Sequence, residues 1–353
     1  MSNKSLDTIW YTRCAGNGRG GVPTATGIAS QLGWLKQEFA ADGIKLRSLQ
    51  DEDAAEYRFN HYDHKLPNLI REGGNLFSLP ARAQGAKTRL IGLTWIDEGQ
   101  AILVNPDSDI RSAADLKGKR LGLPAFNPVD IQENKRGRSI ARFMALHGYK
   151  GALNSVGLSL DDIELVETHR NQPDSADGWA RGDAWSGVDA LKRGDIDGFY
   201  VKGGNAVDLA REYGLVVGVD IDALPEKRFR VNNGTPRPVT VHEDFIEHHF
   251  DHLVRFLYQV LRTAEWAKSN LDGVYEALHK ETGASLQGLK GAYKNGFHLS
   301  LAPDLSPERV ELFRQQKDFL LTYGVLDRDF DYDAWIDYRP LEAAKKLLAE
   351  RGI

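Results

Sequence analysis

Through the first two thirds of the chain, short apolar runs alternate with segments of helical period. Residues 8–13 read as a buried strand, and 24–41 as a helix with Ile28, Leu32, Leu35 and Phe39 spaced four, three and four apart. Asp42-Gly43 closes that helix, and 44–49 alternates as a strand. A polar stretch runs to Gly73-Gly74, followed by a helix near 75–84 and strands at 90–95 and 101–104. Ser112 to Lys119 forms a short helix that turns into a strand at 120–123. After Pro124 the alternation starts afresh. A helix at 137–147 ends in His147-Gly148, then come a strand at 163–167, a helix at 185–193 and a strand at 196–201. A helix at 204–213 and a strand at 215–219 follow. From Asp244 the chain is helical, with Phe245, Ile246, His249, Phe250, Leu253, Phe256, Leu257 and Val260 on one period and further helices at 272–294, 306–324 and 340–351.

This order predicts an α/β fold of two doubly wound αβ domains around a central cleft, with a helical C-terminal region. The expected first domain is discontinuous, 1–105 with 225–353, and the second spans 106–224. Ligands of such sheets sit at the carboxyl ends of strands, where loops and helix N-termini converge.

Composition narrows the partners. At 353 residues, 41% hydrophobic and 27% charged, the chain can bury a sizeable core under a soluble surface. A net charge of −5 gives no general attraction to nucleic acid or anionic membrane. The polar start, Met1-Ser2-Asn3-Lys4-Ser5, precedes no apolar signal core, and no apolar run approaches membrane-spanning length. The expected location is cytoplasmic, or periplasmic if a leader has been removed.

The single cysteine, Cys14, follows the first strand and opens the glycine-rich run Ala15-Gly16-Asn17-Gly18-Arg19-Gly20-Gly21. It has no internal disulfide partner, and Arg13 and Arg19 nearby favour its nucleophilic thiolate form. Gly16 to Gly21 satisfies a dinucleotide-binding pattern formally. The polar Thr8, Thr12 and Arg13 in the strand and the helix delay at Pro23 oppose that reading. His61 with His64, and His248 with His252, would need a third ligand to hold a metal, and His248 and His252 read as bordering the packed face of their helix; no metal is expected. Arg71-Glu72-Gly73-Gly74 fits two roles equally: an oxyanion cradle of guanidinium and open N–H groups, or a helix C-cap with Gly73 left-handed.

Taken together, the alternation and Asp115-Leu116-Lys117-Gly118-Lys119-Arg120-Leu121-Gly122 resemble the type II periplasmic-binding-protein fold, in its nitrate, taurine and sulfonate branch, over about 7–325. Within that fold, Tyr11-Thr12-Arg13-Cys14, then His61, then Arg71-Glu72-Gly73-Gly74 resemble the 2'-hydroxybiphenyl-2-sulfinate desulfinases. The resemblance implies a desulfinase-like hydrolase without metal or organic cofactor that cleaves a C–S bond of an organic, aryl sulfinate and releases sulfite. Cys14 would be the nucleophile, Arg71 and the Gly74 N–H would hold the sulfinate oxygens, and His61 would move a proton or orient the thiol. Gly73, Gly74, Ser139, Trp185 and Tyr200 complete the expected substrate contacts, with Ser139 and Lys202-Gly203-Gly204 standing where the family places aromatics. The alternative is a non-catalytic solute-binding protein for a sulfonate, nitrate or similar anion, serving an ABC-transporter permease. The expected partner is a small anionic organosulfur substrate, or another small anion on the alternative.

Overall fold

A computed structural model describes residues 6–13, 22–126, 139–169, 186–294 and 296–352. Among these, ten strands form two five-stranded sheets. The first sheet has the order β2-β1-β3-β10-β4, built from β1 (Thr8–Thr12), β2 (Lys45–Ser48), β3 (Leu69–Glu72), β4 (Thr88–Thr94) and β10 (Arg237–His242). The second, in the order β7-β6-β8-β5-β9, uses β5 (Ala101–Val104), β6 (Arg120–Pro124), β7 (Glu164–Thr168), β8 (Gly198–Val201) and β9 (Val216–Asp220). β1 pairs in parallel with β2 and β3, and β6 with β7 and β8. The two antiparallel strands, β10 and β5, are those that follow a crossing of the chain from one sheet to the other.

Helices cover the sheets: α1 (Ala25–Gln31), α2 (Trp34–Ala40), α3 (Asn60–Asp63), α4 (Asn75–Ala83), α5 (Ile140–Asn154), α6 (Val188–Arg193) and α7 (Gly204–Tyr213). The C-terminal part adds α8 (Glu243–Ala267), α9 (Leu271–Thr282), α10 (Leu286–Ala292), α11 (Pro307–Thr322) and α12 (Arg339–Glu350). No helix among the described residues is long and apolar enough to cross a membrane.

Three helix expectations are corrected, two of them by a glycine that breaks the helix. The helix expected over 24–41 is two, because Gly33 takes a left-handed φ of 76° between α1 and α2. The one expected over 272–294 likewise breaks at Gly283, which caps α9 with φ 66°. The helix expected to stop at His147-Gly148 instead runs on to Asn154. Its glycines serve packing: a Cβ at Gly148 would lie 2.5 Å from the Tyr200 ring, and one at Gly151 would lie 2.1 Å from the Phe229 carbonyl oxygen.

Two strands escaped the sequence reading. β3 lies inside the stretch read as polar, since Arg71 and Glu72 are charged yet buried in the middle of a sheet. β10 carries Arg237 and Pro238, and proline is unusual inside a sheet.

Two segments cross between the sheets, residues 95–100 and 221–236, and they are stitched together. Asp222 accepts the backbone N–H groups of Gly99 (2.6 Å) and Gln100 (3.0 Å). Arg230 bridges Asp97 at 2.9 Å and the Asp222 carbonyl at 3.0 Å. The buried Glu98 carboxylate takes Arg237 on one oxygen and Lys202 on the other. Burial alone would raise the Glu98 pKa, but these two cations outweigh it and hold the carboxyl below its usual range.

Candidate active site

β1 and β3 run side by side, with Thr12 in register with Arg71. The Thr12 hydroxyl donates to the Glu72 carbonyl at 2.6 Å, tying the two strand ends together. The chain therefore leaves β1, two residues before Cys14, beside the Arg71-Glu72-Gly73-Gly74 segment; Cys14 itself lies outside the described residues. Arg13, between them, donates its backbone N–H to Gln50 and directs its guanidinium to Glu281, 3.5 Å away. Its charge is thus shared with a carboxylate.

Arg71 is wholly buried, and its guanidinium folds back over the turn that follows it. Nε donates to the His61 carbonyl and Nη2 to the Gly74 carbonyl, each at 2.9 Å. Nη2 also stands 3.5 Å from the His61 Nε2. A guanidinium only donates, so in that contact the imidazole Nε2 can act only as acceptor. The His61 ring is set edge-on against Phe77 (5.2 Å) and Tyr62 (5.5 Å), and Phe77 also lies under Arg71, 5.7 Å from Cζ.

The segment joins a strand to a helix, which excludes the C-cap alternative: it follows β3 and leads into α4, and Gly73 is not among the left-handed glycines. Each glycine is required by a different neighbour. A Cβ on Gly73 would lie 2.9 Å from Cζ and Nη2 of Arg71. One on Gly74 would lie 2.6–2.9 Å from the carboxamide of Asn233. Gly74 is the N-cap of α4 and offers no side chain, so its own backbone N–H stands uncovered in the turn over which the Arg71 guanidinium folds.

No family profile matches the chain. It is 26% identical to the 2'-hydroxybiphenyl-2-sulfinate desulfinase of Rhodococcus erythropolis over an alignment covering 93% of this chain and 91% of that protein. The desulfinase of Rhodococcus qingshengii matches equally. This chain resembles the sulfinate desulfinases along nearly its whole length. Among solved structures, a mutant of the desulfinase DSZB in complex with biphenyl-2-sulfinic acid superposes with a TM-score of 0.74 at 22% identity, covering 97% of this chain and all of that one. The periplasmic aliphatic sulphonate binding protein SsuA from Escherichia coli gives 0.65 at 15% identity, covering 94% and 92%. The fold is therefore the two-sheet αβ architecture shared by this desulfinase and the periplasmic binding proteins.

Of the residues expected from the desulfinase resemblance, the structure brings His61, Arg71, Gly73 and Gly74 into one cluster. Ser139 stands at the N-cap position of α5, makes no side-chain capping bond there, and is buried. Trp185 lies outside the described residues. Tyr200 is turned into the interior, where its hydroxyl donates to Gln100 at 3.0 Å and its ring packs on Gly148. Burial raises its pKa well above the ordinary phenol value. His64 is also buried; its Nε2 lies 3.2 Å from the Thr240 hydroxyl, and burial and then Arg71 lower its pKa well below the usual imidazole value. Among the described residues no group of three or more His, Cys, Asp or Glu is placed to hold a metal.

Sequence reasoning missed Glu72, Asn232 and Asn233. Glu72 points away from Arg71, as alternation along a strand requires. Burial raises its pKa, against hydrogen bonding from Thr26 and the charge of Arg237. Asn232-Asn233-Gly234-Thr235-Pro236 carries an ordinary turn signature. Nothing in it signals that the turn closes on Gly74, far away in sequence.

Proposed function

We propose that the chain is a desulfinase-type hydrolase that converts an aryl sulfinate and water into the arene and sulfite. The observation that carries this reading is the register of Thr12 with Arg71, which sets the strand leading to Cys14 beside the guanidinium and His61. The similarity to sulfinate desulfinases over 93% of the chain supports it.

Arg71 and the Gly74 N–H would anchor the anionic sulfinate, whose charge a guanidinium next to a helix N-terminus stabilises. Phe77 and Tyr62, edge-on to each other at 4.5 Å and flanking His61, give the site an aromatic side despite Ser139 and Lys202-Gly203-Gly204 replacing rings elsewhere. In the nucleophilic route the Cys14 thiolate attacks sulfur and forms an S–S bond. The C–S bond breaks, its electron pair goes to the aryl carbon, and that carbon takes a proton through His61. Water then cleaves the cysteinyl S–SO₂⁻ adduct, returning the thiol and hydrogen sulfite. In the acid route the Cys14 thiol protonates the ring carbon as the C–S bond breaks; the sulfur leaves as SO₂, whose hydration gives hydrogen sulfite and a proton that restores the thiol, and no adduct forms.

The test is sulfite release from biphenyl-2-sulfinate by wild type, Cys14→Ser and Arg71→Gln. Wild-type turnover that falls by about 10²-fold or more in Cys14→Ser supports the reading. Intact mass after rapid quench separates the routes through the presence or absence of the adduct. Equal binding by wild type and Cys14→Ser, with no sulfite from either, would replace it with the solute-binding reading and its permease partner, which the shared fold with sulfonate-binding proteins favours.

A further inference from the structure

The first turn of α4 offers fewer hydrogen-bond donors than a bare helix N-terminus. The Asn75 N–H donates to the Asn233 carbonyl at 2.8 Å, and the Leu76 N–H to the Asn233 Oδ1 at 2.9 Å. The Gly74 N–H, which precedes them, has no acceptor among the described residues. The Asn233 carboxamide lies flush on Gly74, within 3 Å of where a Cβ would stand, and is nearly buried.

Its position is fixed from several sides. The Asn233 Nδ2 faces the Met144 sulfur of α5 at 3.8 Å, and its backbone N–H donates to the Asn232 Oδ1 at 2.8 Å. Asn232 in turn donates to the Gln100 Oε1 (2.9 Å) and the Met144 carbonyl (3.0 Å). Asn75 donates to the Asn232 carbonyl at 2.8 Å and accepts from Gln316 at 2.9 Å. The carboxamide is thus a rigid stopper in the donor row of α4, held by residues of both sheets' helices and of the crossing segment.

We propose that Asn233 is a specificity-determining residue that confines the anion cradle to two oxygens, so that sulfinates are accepted over sulfonates. This rests on the desulfinase reading of the site. A sulfinate has two oxygens, which the guanidinium of Arg71 and the Gly74 N–H match. The third oxygen of a sulfonate would need a further donor. The nearest backbone donors in the same turn, Asn75 and Leu76, are already taken by Asn233, and the space beside Gly74 is filled by its side chain. A buried anionic oxygen without a donor carries the full cost of its desolvation. Asn233 would exclude the oxidised analogue through an occupied hydrogen bond and filled volume, without touching the reacting atoms.

The experiment measures the ratio of dissociation constants for biphenyl-2-sulfinate and biphenyl-2-sulfonate by calorimetry, in wild type, Asn233→Ala and Asn233→Asp. Asn233→Ala frees the Leu76 N–H and opens the volume. Sulfonate affinity relative to sulfinate is then expected to rise roughly tenfold, the value of one hydrogen bond to an anion. Asn233→Asp keeps the acceptor and the volume, so the ratio stays as in wild type while both anions bind more weakly next to the added charge. A ratio in Asn233→Ala that stays within about twofold of wild type overturns the proposal, because a purely structural role would move the melting temperature and leave selectivity alone. If Asn233→Ala does not fold, Asn233→Ser, whose hydroxyl is too short to reach Leu76, is judged by the same ratio. The two readings fail separately: wild type that binds sulfinate without releasing sulfite removes the catalytic reading, whereas the binding ratio still decides the role of Asn233.

Discussion

Gly73→Ala should be damaging only because Arg71 is an arginine. The backbone of Gly73 needs no glycine, since its φ is not left-handed, and a Gly→Ala change at such a position is worth about 0.4–1 kcal/mol of stabilisation through the unfolded chain. The new Cβ, however, would stand 2.9 Å from Cζ and Nη2 and 3.0 Å from Nη1 of Arg71, against a comfortable separation of about 3.5–4 Å. The end of a long side chain normally swings aside at little cost. This one is pinned at both ends, on the carbonyls of His61 and Gly74 at 2.9 Å each, and is wholly buried. The expected penalty is that of overpacking, about 1–3 kcal/mol. Arg71→Gln ends one atom short of Cζ, removes the clashing group, and leaves an amide nitrogen able to reach the His61 carbonyl. In that background Gly73→Ala should be neutral or slightly stabilising. Urea unfolding of wild type, the two single variants and the double variant gives the coupling, expected at about 1–3 kcal/mol. Additivity within about 0.5 kcal/mol would refute the argument, showing that the guanidinium retreats freely and that Gly73 is present for another reason.

Two other predictions concern the stitching between the sheets. Burial and then the nearby Asp97 push the Asp222 pKa up to about 7, against hydrogen bonds from the Gln100 and Gly99 N–H groups. The unfolded chain ionises this group near pH 4, so folding takes up a proton between about pH 4 and 7 and this group's contribution to stability falls as pH rises through that window. Unfolding free energies from pH 4 to 8 should therefore diverge between wild type and Asp222→Asn by up to about 4 kcal/mol, with wild type losing ground at the upper end; parallel profiles would contradict the assignment. Gly151→Ala, on α5, sets a methyl 2.1 Å from the backbone oxygen of Phe229, which cannot rotate away. It should cost about 3 kcal/mol or more in thermal or urea unfolding, the opposite sign to the gain of up to about 1 kcal/mol expected at an open helical glycine.

Much of this molecule was legible in its sequence, for local reasons. The strands at β1, β5 and β6 and the helices α4, α7 and α11 lie where period and capping residues put them, because a buried face imposes its repeat on the chain. Cys14 and Arg71-Glu72-Gly73-Gly74 could be singled out as reactive or anion-binding residues next to glycines, while His61 entered through the resemblance to the desulfinases. What the sequence left open was whether that glycine pair ends a helix or begins one. β3 settled it, and β3 was hidden because its charged residues are accommodated only in the folded state: Arg71 on the carbonyls of His61 and Gly74, Glu72 with a pKa that burial raises. Burial of charge is a tertiary property and carries no periodic signal. The same holds for Asn233, which reads as a turn residue and becomes a wall of the anion cradle only when the crossing segment folds back on Gly74. The sequence by itself determined most of the elements and which chemical groups are available. The tertiary structure alone decided which donors remain open to an anion, because that depends on carbonyls and carboxamides delivered from distant parts of the chain.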